Sequence, residues 1–192
     1  MEAGHHEAAW RFPGSNPRAD HDLQHWIRLA RLAEAARFDA LFLADGPAIT
    51  GTGEFRTPGQ LEPLTLLTAL SQVTSRIGLI ATVSTTYNEP YDLARRLASV
   101  DHVSGGRAGW NIVTSAGAAE AANFGLTDRP AHAARHARAE EFLRVAKGLW
   151  DSSSTPSAAS SGSRLVRPRA ASSASTRWIS TNRADSARSR SR

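Results

Sequence analysis

Polar residues recur where short apolar runs of the chain end, and their types suit ligand binding. Asp45 ends one run, and Ser84 and Thr85 end a second. Asn111 lies inside a third run, which closes on the polar residues 114–115. Carboxylate, hydroxyl and amide groups of this kind orient a small molecule or cofactor through hydrogen bonds. The pattern therefore predicts a binding site built from strand ends.

Each of these residues also has a purely structural interpretation. Asp45 could cap the loop after its strand, and Ser84 and Thr85 could form an ordinary turn. Asn111 needs a buried hydrogen-bond partner whether or not it binds a ligand. The residues alone leave both interpretations open.

Histidine pairs raise the question of a metal site. His132 and His136 are four residues apart on a predicted helix and so share one face. Two histidines at this spacing can bind zinc, but the usual motif adds a glutamate after the first histidine, which this chain lacks, and no third ligand is evident. We predict no metal, so the pair faces either a ligand or solvent. His5 and His6 are more typical of a flexible terminus.

The elements that must position these residues alternate regularly. Helical periodicity predicts helices over residues 20–37, 61–74, 90–103 and 131–149. Apolar runs predict buried strands over residues 39–45, 77–84 and 108–115. A loop over 46–60 and a turn over 104–106 are predicted from glycine, threonine, proline and serine.

Local signals support the helix starts. Asp20 or Asp22 can cap the first helix, and Pro63 and Pro90 suit the first turn of the second and third helices. The order α-β-α-β-α-β-α predicts an α/β fold with parallel strands and right-handed crossovers. In such folds the polar ends of the strands meet at one edge, where chemistry takes place.

Two common parallel folds can be compared with this pattern. No glycine-rich dinucleotide motif follows the first strand, which disfavours a Rossmann fold. A complete eight-stranded βα barrel needs about 250 residues, and this chain has 192. The pattern therefore predicts part of a barrel.

The last 41 residues differ in composition from the rest. Residues 152–192 contain 14 serines, eight arginines and one acid, which gives this segment a net charge of +7. Because the whole chain carries +5, residues 1–151 carry −2. Such a segment buries too little apolar surface to fold, and we predict a disordered tail after a folded domain of residues 1–151. Its serine- and arginine-rich composition is typical of GC-rich DNA translated in a shifted frame. RNA binding by the tail is the alternative.

Other features bear on location and partners. The chain has no cysteine, which rules out disulfides and thiolate sites. The polar, acidic start of the sequence lacks a basic region followed by an apolar run, so we expect no signal peptide, and no apolar run approaches the roughly 20 residues that span a bilayer. We expect a cytoplasmic protein without a membrane partner, and the acidic body argues against nucleic acid.

Several ordered motifs resemble one enzyme family, the nitrilotriacetate monooxygenase component A group of the bacterial-luciferase-like flavin monooxygenases. The matching stretches are GHHEAAWR at 4–11, FDALFLAD at 38–45, EPLTLL at 62–67, IGLIAT at 77–82, STTYNEPY at 84–91, SGGRAGWNIVTS at 104–115, ANFG at 122–125 and LWD at 149–151. Each motif is weak evidence alone, but together they occur in order over a span of about 148 residues.

This resemblance implies a TIM-like barrel that binds reduced FMN supplied by a separate flavin reductase. It also implies that molecular oxygen forms a peroxyflavin, which oxygenates a small organic substrate. The chemistry would belong to the cofactor, while the protein supplies orientation and a dry pocket.

The resemblance also assigns site residues. Asp45 matches the acid at the end of the second barrel strand, beside the flavin. Thr85, next to Ser84, matches a polar group ending the third strand, and Asn111 matches one on the fourth strand. The other matched residues are His132 and His136 facing the flavin, where the family has histidine and tyrosine, and His5, His6 and Trp10 on the substrate side.

The family pattern extends beyond this chain in both directions. Its first strand precedes the motif at 4–11, and its strands five to eight follow the fourth, so we expect strands two to four of a barrel. An inactive remnant of such an enzyme is the alternative function. Because half-barrels can dimerise, a homo-oligomer is also compatible with the sequence.

Overall fold

A computed structural model describes residues 11–49 and 59–152 of the chain. Its helices and strands are a 3-10 turn at Ala19–His21, then α1 (Leu23–Ala35), β1 (Ala40–Leu43), α2 (Pro63–Ser71), β2 (Gly78–Ser84), α3 (Pro90–Ser104), β3 (Ala108–Val113), α4 (Ala118–Asn123) and α5 (His132–Ser152). The predicted alternation is confirmed. The short helix α4, within a segment predicted as neither helix nor strand, is an addition.

The three strands form one parallel sheet in the order β1-β2-β3. In the register, Leu41 pairs with Leu79 of β2, and Thr82 of β2 pairs with Asn111 of β3. Because the strands are parallel, their carboxyl ends lie at the same edge. The α/β class with parallel strands is therefore confirmed, and the fold places Asp45, Ser84 and Thr85 at one edge.

One face of this sheet packs against helices. The core combines alternate residues of β2 and β3 with α2, α3 and α5, and it includes Leu67, Leu70, Leu79, Ala81, Leu93, Trp110 and Phe142. Thr82 and Asn111 lie on the opposite face, because strand residues alternate between faces. Gly109 fits the close approach of β2 on that face, since a Cβ there would lie 2.9 Å from Ile80 Cγ1.

The prediction that residues 39–45 form a buried strand is wrong in its burial. Strand β1 is shorter and only half-buried, and its Phe42 side chain is 53% exposed. Within the described sheet, β1 pairs with β2 on one side only. An edge strand loses the cover that a neighbour on its other side would give.

The helix starts follow their predicted signals. Asp22 rather than Asp20 caps α1, and its carboxylate accepts a hydrogen bond of 2.9 Å from the Gln24 amide. Pro63 and Pro90 occupy the first turns of α2 and α3. At the end of α3, Gly105 has φ 72°, a left-handed conformation that glycine adopts without strain. The predicted turn at 104–106 is thereby confirmed.

Among residues 11–49 and 59–152, no helix is long and apolar enough to cross a membrane. The predicted tail beyond residue 152 lies outside the described residues.

The segment between α2 and β2 is held by one carboxylate. Glu34 of α1 accepts hydrogen bonds from the backbone amides of residues 75, 76 and 77 at 2.9, 2.6 and 3.1 Å. These bonds favour the charged carboxylate and lower the pKa of Glu34 to about 2. This contact fixes how the chain enters β2.

That contact predicts a pH-dependent stability. Glu34 ionises more readily in the folded chain than in the unfolded chain. Its contribution is therefore complete above the ordinary carboxyl pKa of about 4.5 and is lost as the pH falls toward 2. We expect Glu34→Gln to lower the urea midpoint of unfolding at pH 6. The difference in midpoint between this variant and the parent chain should decrease steadily between pH 5 and pH 2.

The matched control is Glu141→Gln on the exposed side of α5. Urea titrations at pH 6, 4 and 2.5 measure both variants beside the parent chain. A gap for Glu34→Gln that stays constant with pH would contradict the role of its charge.

Candidate functional site

The site begins with Asp45, which follows β1 by two residues. Gln60 reaches across from the segment before α2, and its side-chain amide donates to Asp45 Oδ1 at 3.0 Å and to the Ala44 carbonyl at 2.8 Å. Burial raises the pKa of Asp45, and the charges of Glu62 and Glu120 raise it further. The bonds from Gln60 and the Gly46 amide oppose that rise. Asp45 is therefore a carboxylate in a partly dehydrated, acidic setting.

A cleft of about 690 Å³ lies beside this carboxylate. The residues that line it are Ala44, Asp45, Gly46, Pro47, Ala48, Ile49, Gly59, Gln60, Gly117, Ala119, Glu120 and Asn123. Its volume falls in the range of small-molecule and cofactor sites. Its place beyond the carboxyl end of β1 is where ligands bind in parallel α/β folds.

Helix α4, which was missed from the sequence, forms the far wall of the cleft. Glu120 folds back so that its carboxylate accepts from the Gly117 amide at 2.8 Å and stabilises the helix start. Asn123 donates to the Pro47 carbonyl at 3.0 Å and joins α4 to the loop after β1. A glycine and alanines with one glutamate gave little periodic signal for so short a helix.

Ser84 and Thr85 lie at the carboxyl end of β2 as predicted, but their hydroxyls serve the loop. Ser84 Oγ accepts from the Thr86 amide at 3.2 Å. Thr85 is 0% exposed, and its hydroxyl donates to the Val113 carbonyl at 3.3 Å. This geometry agrees with the turn interpretation of both residues, and a cofactor contact by either stays a prediction.

Asn111 finds its required buried partner in Thr82, the residue opposite it in the register. Asn111 Nδ2 donates to Thr82 Oγ1 at 3.0 Å, and both side chains are buried. They lie on the face of the sheet turned away from the helices. Thr82 was not singled out from the sequence, although its position between apolar residues resembles that of Asn111.

His132 and His136 contact each other on the first turns of α5. Their ring centroids are 4.2 Å apart, with His132 exposed and His136 partly buried. In the part of the chain that the structure describes, no group of three or more side chains could hold a metal ion. His5, His6 and Trp10 lie outside the described residues.

Tyr87, in the loop after β2, has an unusual hydroxyl that sequence reasoning missed. Its ring stacks on Phe124 at 4.5 Å, almost parallel, while its hydroxyl is buried without a hydrogen-bond partner among the described residues. Burial raises the pKa of Tyr87, the charge of Glu120 adds to this, and that of Arg135 opposes it. The charges of Glu120 and Arg135 thus act on this unsatisfied hydroxyl in opposite directions.

These groups can be compared with the needs of a flavin. An isoalloxazine ring requires a wide cleft with a few polar groups at its edge, and the cleft beside Asp45 offers both. Among the described residues that line the cleft there is no lysine, arginine or histidine for a phosphate. The described residues thus fit the ring portion of the cofactor.

Comparison with known proteins establishes the family. The model of the luciferase-like monooxygenase family matches residues 4–177. The chain belongs to this family, and the resemblance inferred from its motifs is confirmed. The fold is therefore a portion of the TIM-like barrel of these monooxygenases, as its solved relatives below also indicate.

Individual relatives agree with this assignment. The chain is 46% identical over 162 residues to nitrilotriacetate monooxygenase component A from Aminobacter aminovorans, with 78% of this chain and 36% of the relative covered. EDTA monooxygenase (EmoA) from Chelativorans sp. BNC1 superposes with a TM-score of 0.69 at 44% identity, over 73% of this chain and 34% of that one.

A third relative was solved with a flavin. The structure of riboflavin lyase (RcaE) with modified FMN and riboflavin is 33% identical, with a TM-score of 0.67, over 78% of this chain and 35% of that chain. The chain thus spans about a third of the length of the relatives it matches.

Proposed function

We propose that this chain carries part of the flavin site of an FMN-dependent, two-component monooxygenase that oxygenates a small organic substrate. The observation that carries the proposal is the cleft beside Asp45 at the carboxyl edge of the sheet, in a chain of the luciferase-like monooxygenase family. A flavin reductase would supply the reduced cofactor, and molecular oxygen would be the second substrate.

Several residues near the cleft and on α5 have a defined role in this proposal. Asp45 would orient the ring of the flavin through its partly dehydrated carboxylate, which Gln60 holds in place. The walls formed by Pro47, Ile49 and α4 would exclude water from the reacting face. His132 and His136 would approach the flavin from α5. Bound reduced FMN supplies the electrons with which oxygen is activated.

Flavin binding by the 192-residue chain tests the proposal. Reduced FMN is titrated without oxygen, and flavin fluorescence and the melting temperature are followed. We expect saturable binding with a rise in melting temperature, because a ligand that binds only the folded chain stabilises it. We expect Asp45→Ala to weaken binding about 10-fold or more, the usual effect of removing one charged hydrogen-bonding group.

The matched control is Asp39→Ala, at the opposite end of the same strand and exposed. It should bind reduced FMN as the parent chain does. Equal weakening by both variants would overturn the assignment of Asp45.

The second candidate function is an inactive remnant of such an enzyme. Its support is the described lining of the cleft, which offers no lysine, arginine or histidine for the phosphate of the cofactor. If the folded parent chain shows no saturable FMN binding, the remnant is the correct reading and the flavin-site proposal fails.

A further inference from the structure

Two arginines on α5 reach the loops at the carboxyl edge of the sheet. Arg138 Nε donates to the Thr85 carbonyl at 3.1 Å, and its Nη2 donates to the Asn88 carbonyl at 3.0 Å. One turn earlier, Arg135 Nη1 donates to the Ser115 carbonyl at 2.8 Å. The first two turns of α5 are therefore bonded to the loops that follow β2 and β3.

The loop after β2 is rigid where Arg138 meets it. Asn88 donates to the Ser84 carbonyl at 2.8 Å and accepts from Arg96 of α3 at 2.5 Å. The Thr85 amide is bonded to the Val113 carbonyl at 2.9 Å. Arg138 therefore donates to carbonyls whose positions are already fixed. Because two nitrogens of one planar guanidinium donate, the bonds set the orientation of the side chain as well as its distance from the loop.

The loop after β3 is strained where Arg135 meets it. Ser115 has φ 42°, a left-handed conformation that is unfavourable for a residue other than glycine. Arg135 is 6% exposed, and its bond to the Ser115 carbonyl helps to hold that conformation. Strain of this kind persists only where the surroundings impose it.

The histidines occupy the same turns as these arginines. His132 and Arg135 are three residues apart, so they share a face of the helix. His136 follows Arg135 and contacts His132 with ring centroids 4.2 Å apart. The positions of both imidazoles therefore depend on the bonds by which Arg135 and Arg138 join α5 to the loops after β2 and β3. The salt bridge of Arg138 with Glu89, at 3.4 Å, is exposed and adds little to the stability of this contact.

We propose that Arg138, assisted by Arg135, is a positioning residue of the proposed flavin site, which sets His132 and His136 relative to the loops after β2 and β3. The proposal rests on the proposed function for the ligand, because the contact of His132 and His136 with the flavin is part of that proposed function and Arg138 would act through them. Removal of Arg138 leaves the core of α5 in place, because Phe142, Ala146 and Trp150 continue to pack.

Two measurements on the 192-residue chain test Arg138→Met. The first is the NMR signals of the His132 and His136 rings without ligand, which we expect to shift, with Arg138→Lys restoring them in part. The second is the dissociation constant for reduced FMN, which we expect to rise about 10-fold while the melting temperature changes little. The control Arg144→Met removes an exposed arginine of the same helix and should alter neither.

The outcomes separate this inference from the proposed function. If the parent chain binds no FMN, the flavin function fails, while shifted histidine signals would still support positioning by Arg138. If the parent chain binds FMN and Arg138→Met binds it equally well with unshifted histidine signals, positioning is overturned. A loss of affinity that merely parallels a large loss of melting temperature would also overturn it, in favour of a structural role.

Discussion

Replacing Arg107 by methionine is expected to lower the free energy of unfolding by about 3 kcal/mol, a large share of a domain's stability. Arg107 follows the turn after α3 and reaches back to the end of α2. Its guanidinium donates to the carbonyls of Ser71, Thr74, Ile77 and Ser104 and to the Thr74 hydroxyl, at 2.7–3.1 Å. Methionine has a similar stem and can replace none of these bonds.

The expected loss of stability is large because the substitution leaves several hydrogen-bond acceptors without a donor. Four carbonyls and a hydroxyl would lose their donor in a half-buried place, and unsatisfied buried acceptors are costly. Burial lowers the pKa of Arg107, while the carboxylate of Glu34 raises it. The two side chains serve the same segment, because Glu34 binds its amides and Arg107 binds its carbonyls. We therefore expect their substitutions to be non-additive.

Urea denaturation at pH 7 measures this prediction. Arg107→Lys keeps the positive charge but not the planar guanidinium with its several donors. We therefore expect a loss of stability smaller than that of Arg107→Met. The matched control is Arg95→Met on the exposed side of α3, which should change stability by less than about 0.5 kcal/mol. Equal losses for Arg107→Met and Arg95→Met would contradict the role of the guanidinium.

The sequence predicted those parts of the fold that depend on local patterns. Helical periodicity, the cap at Asp22, the first-turn prolines Pro63 and Pro90, and the apolar runs are all local signals, so element order and strand direction followed from them. Burial of β1 did not follow, because an apolar run gives no information about how many strands flank it. Phe42 is exposed for that reason.

The candidate site was predictable only in outline. The prediction that Asp45 and the end of β2 share an edge with Asn111 required no more than parallel strands. Gln60, Tyr87 and the arginines of α5 were missed because their partners lie far away in sequence. The bond from Arg138 to the Thr85 carbonyl, for example, joins residues 53 positions apart.

Thr85 shows the opposite limitation. Its residue type and position at a strand end suit both a ligand contact and a turn, and only the direction of the hydroxyl distinguishes them. In the fold the hydroxyl points to the Val113 carbonyl. That direction depends on the register between β2 and β3, which the pattern of residue types does not contain.

The largest loss of stability is expected for Trp110→Ala, about 4 kcal/mol. Trp110 is 1% exposed on the helix-facing side of β3, where its ring packs against Phe142 of α5 with centroids 5.8 Å apart. Its indole nitrogen donates to the Val83 carbonyl at 2.9 Å. The substitution therefore opens a cavity between β3 and α5 and removes a bond that joins β3 to β2.

A series at this position separates the two contributions. Trp110→Phe keeps most of the ring but loses the indole donor, and we expect a loss of about 1–2 kcal/mol. Phe38→Ala is the matched aromatic truncation at a side chain that is 65% exposed, and it should cost less than about 0.5 kcal/mol. Urea denaturation of the three variants gives the comparison, and a Trp110→Ala loss below about 1 kcal/mol would contradict close packing there.

This series also bears on the site, because Trp110 and Asn111 are neighbours on β3 that face opposite sides of the sheet. A cavity behind the strand lets β3 shift toward α5, and the bond from Asn111 to Thr82 lies on the strand that would move. The same movement would displace Ser115, whose carbonyl accepts from Arg135 of α5. Trp110→Ala should therefore weaken binding of reduced FMN as well as stability, whereas Phe38→Ala should leave both unchanged.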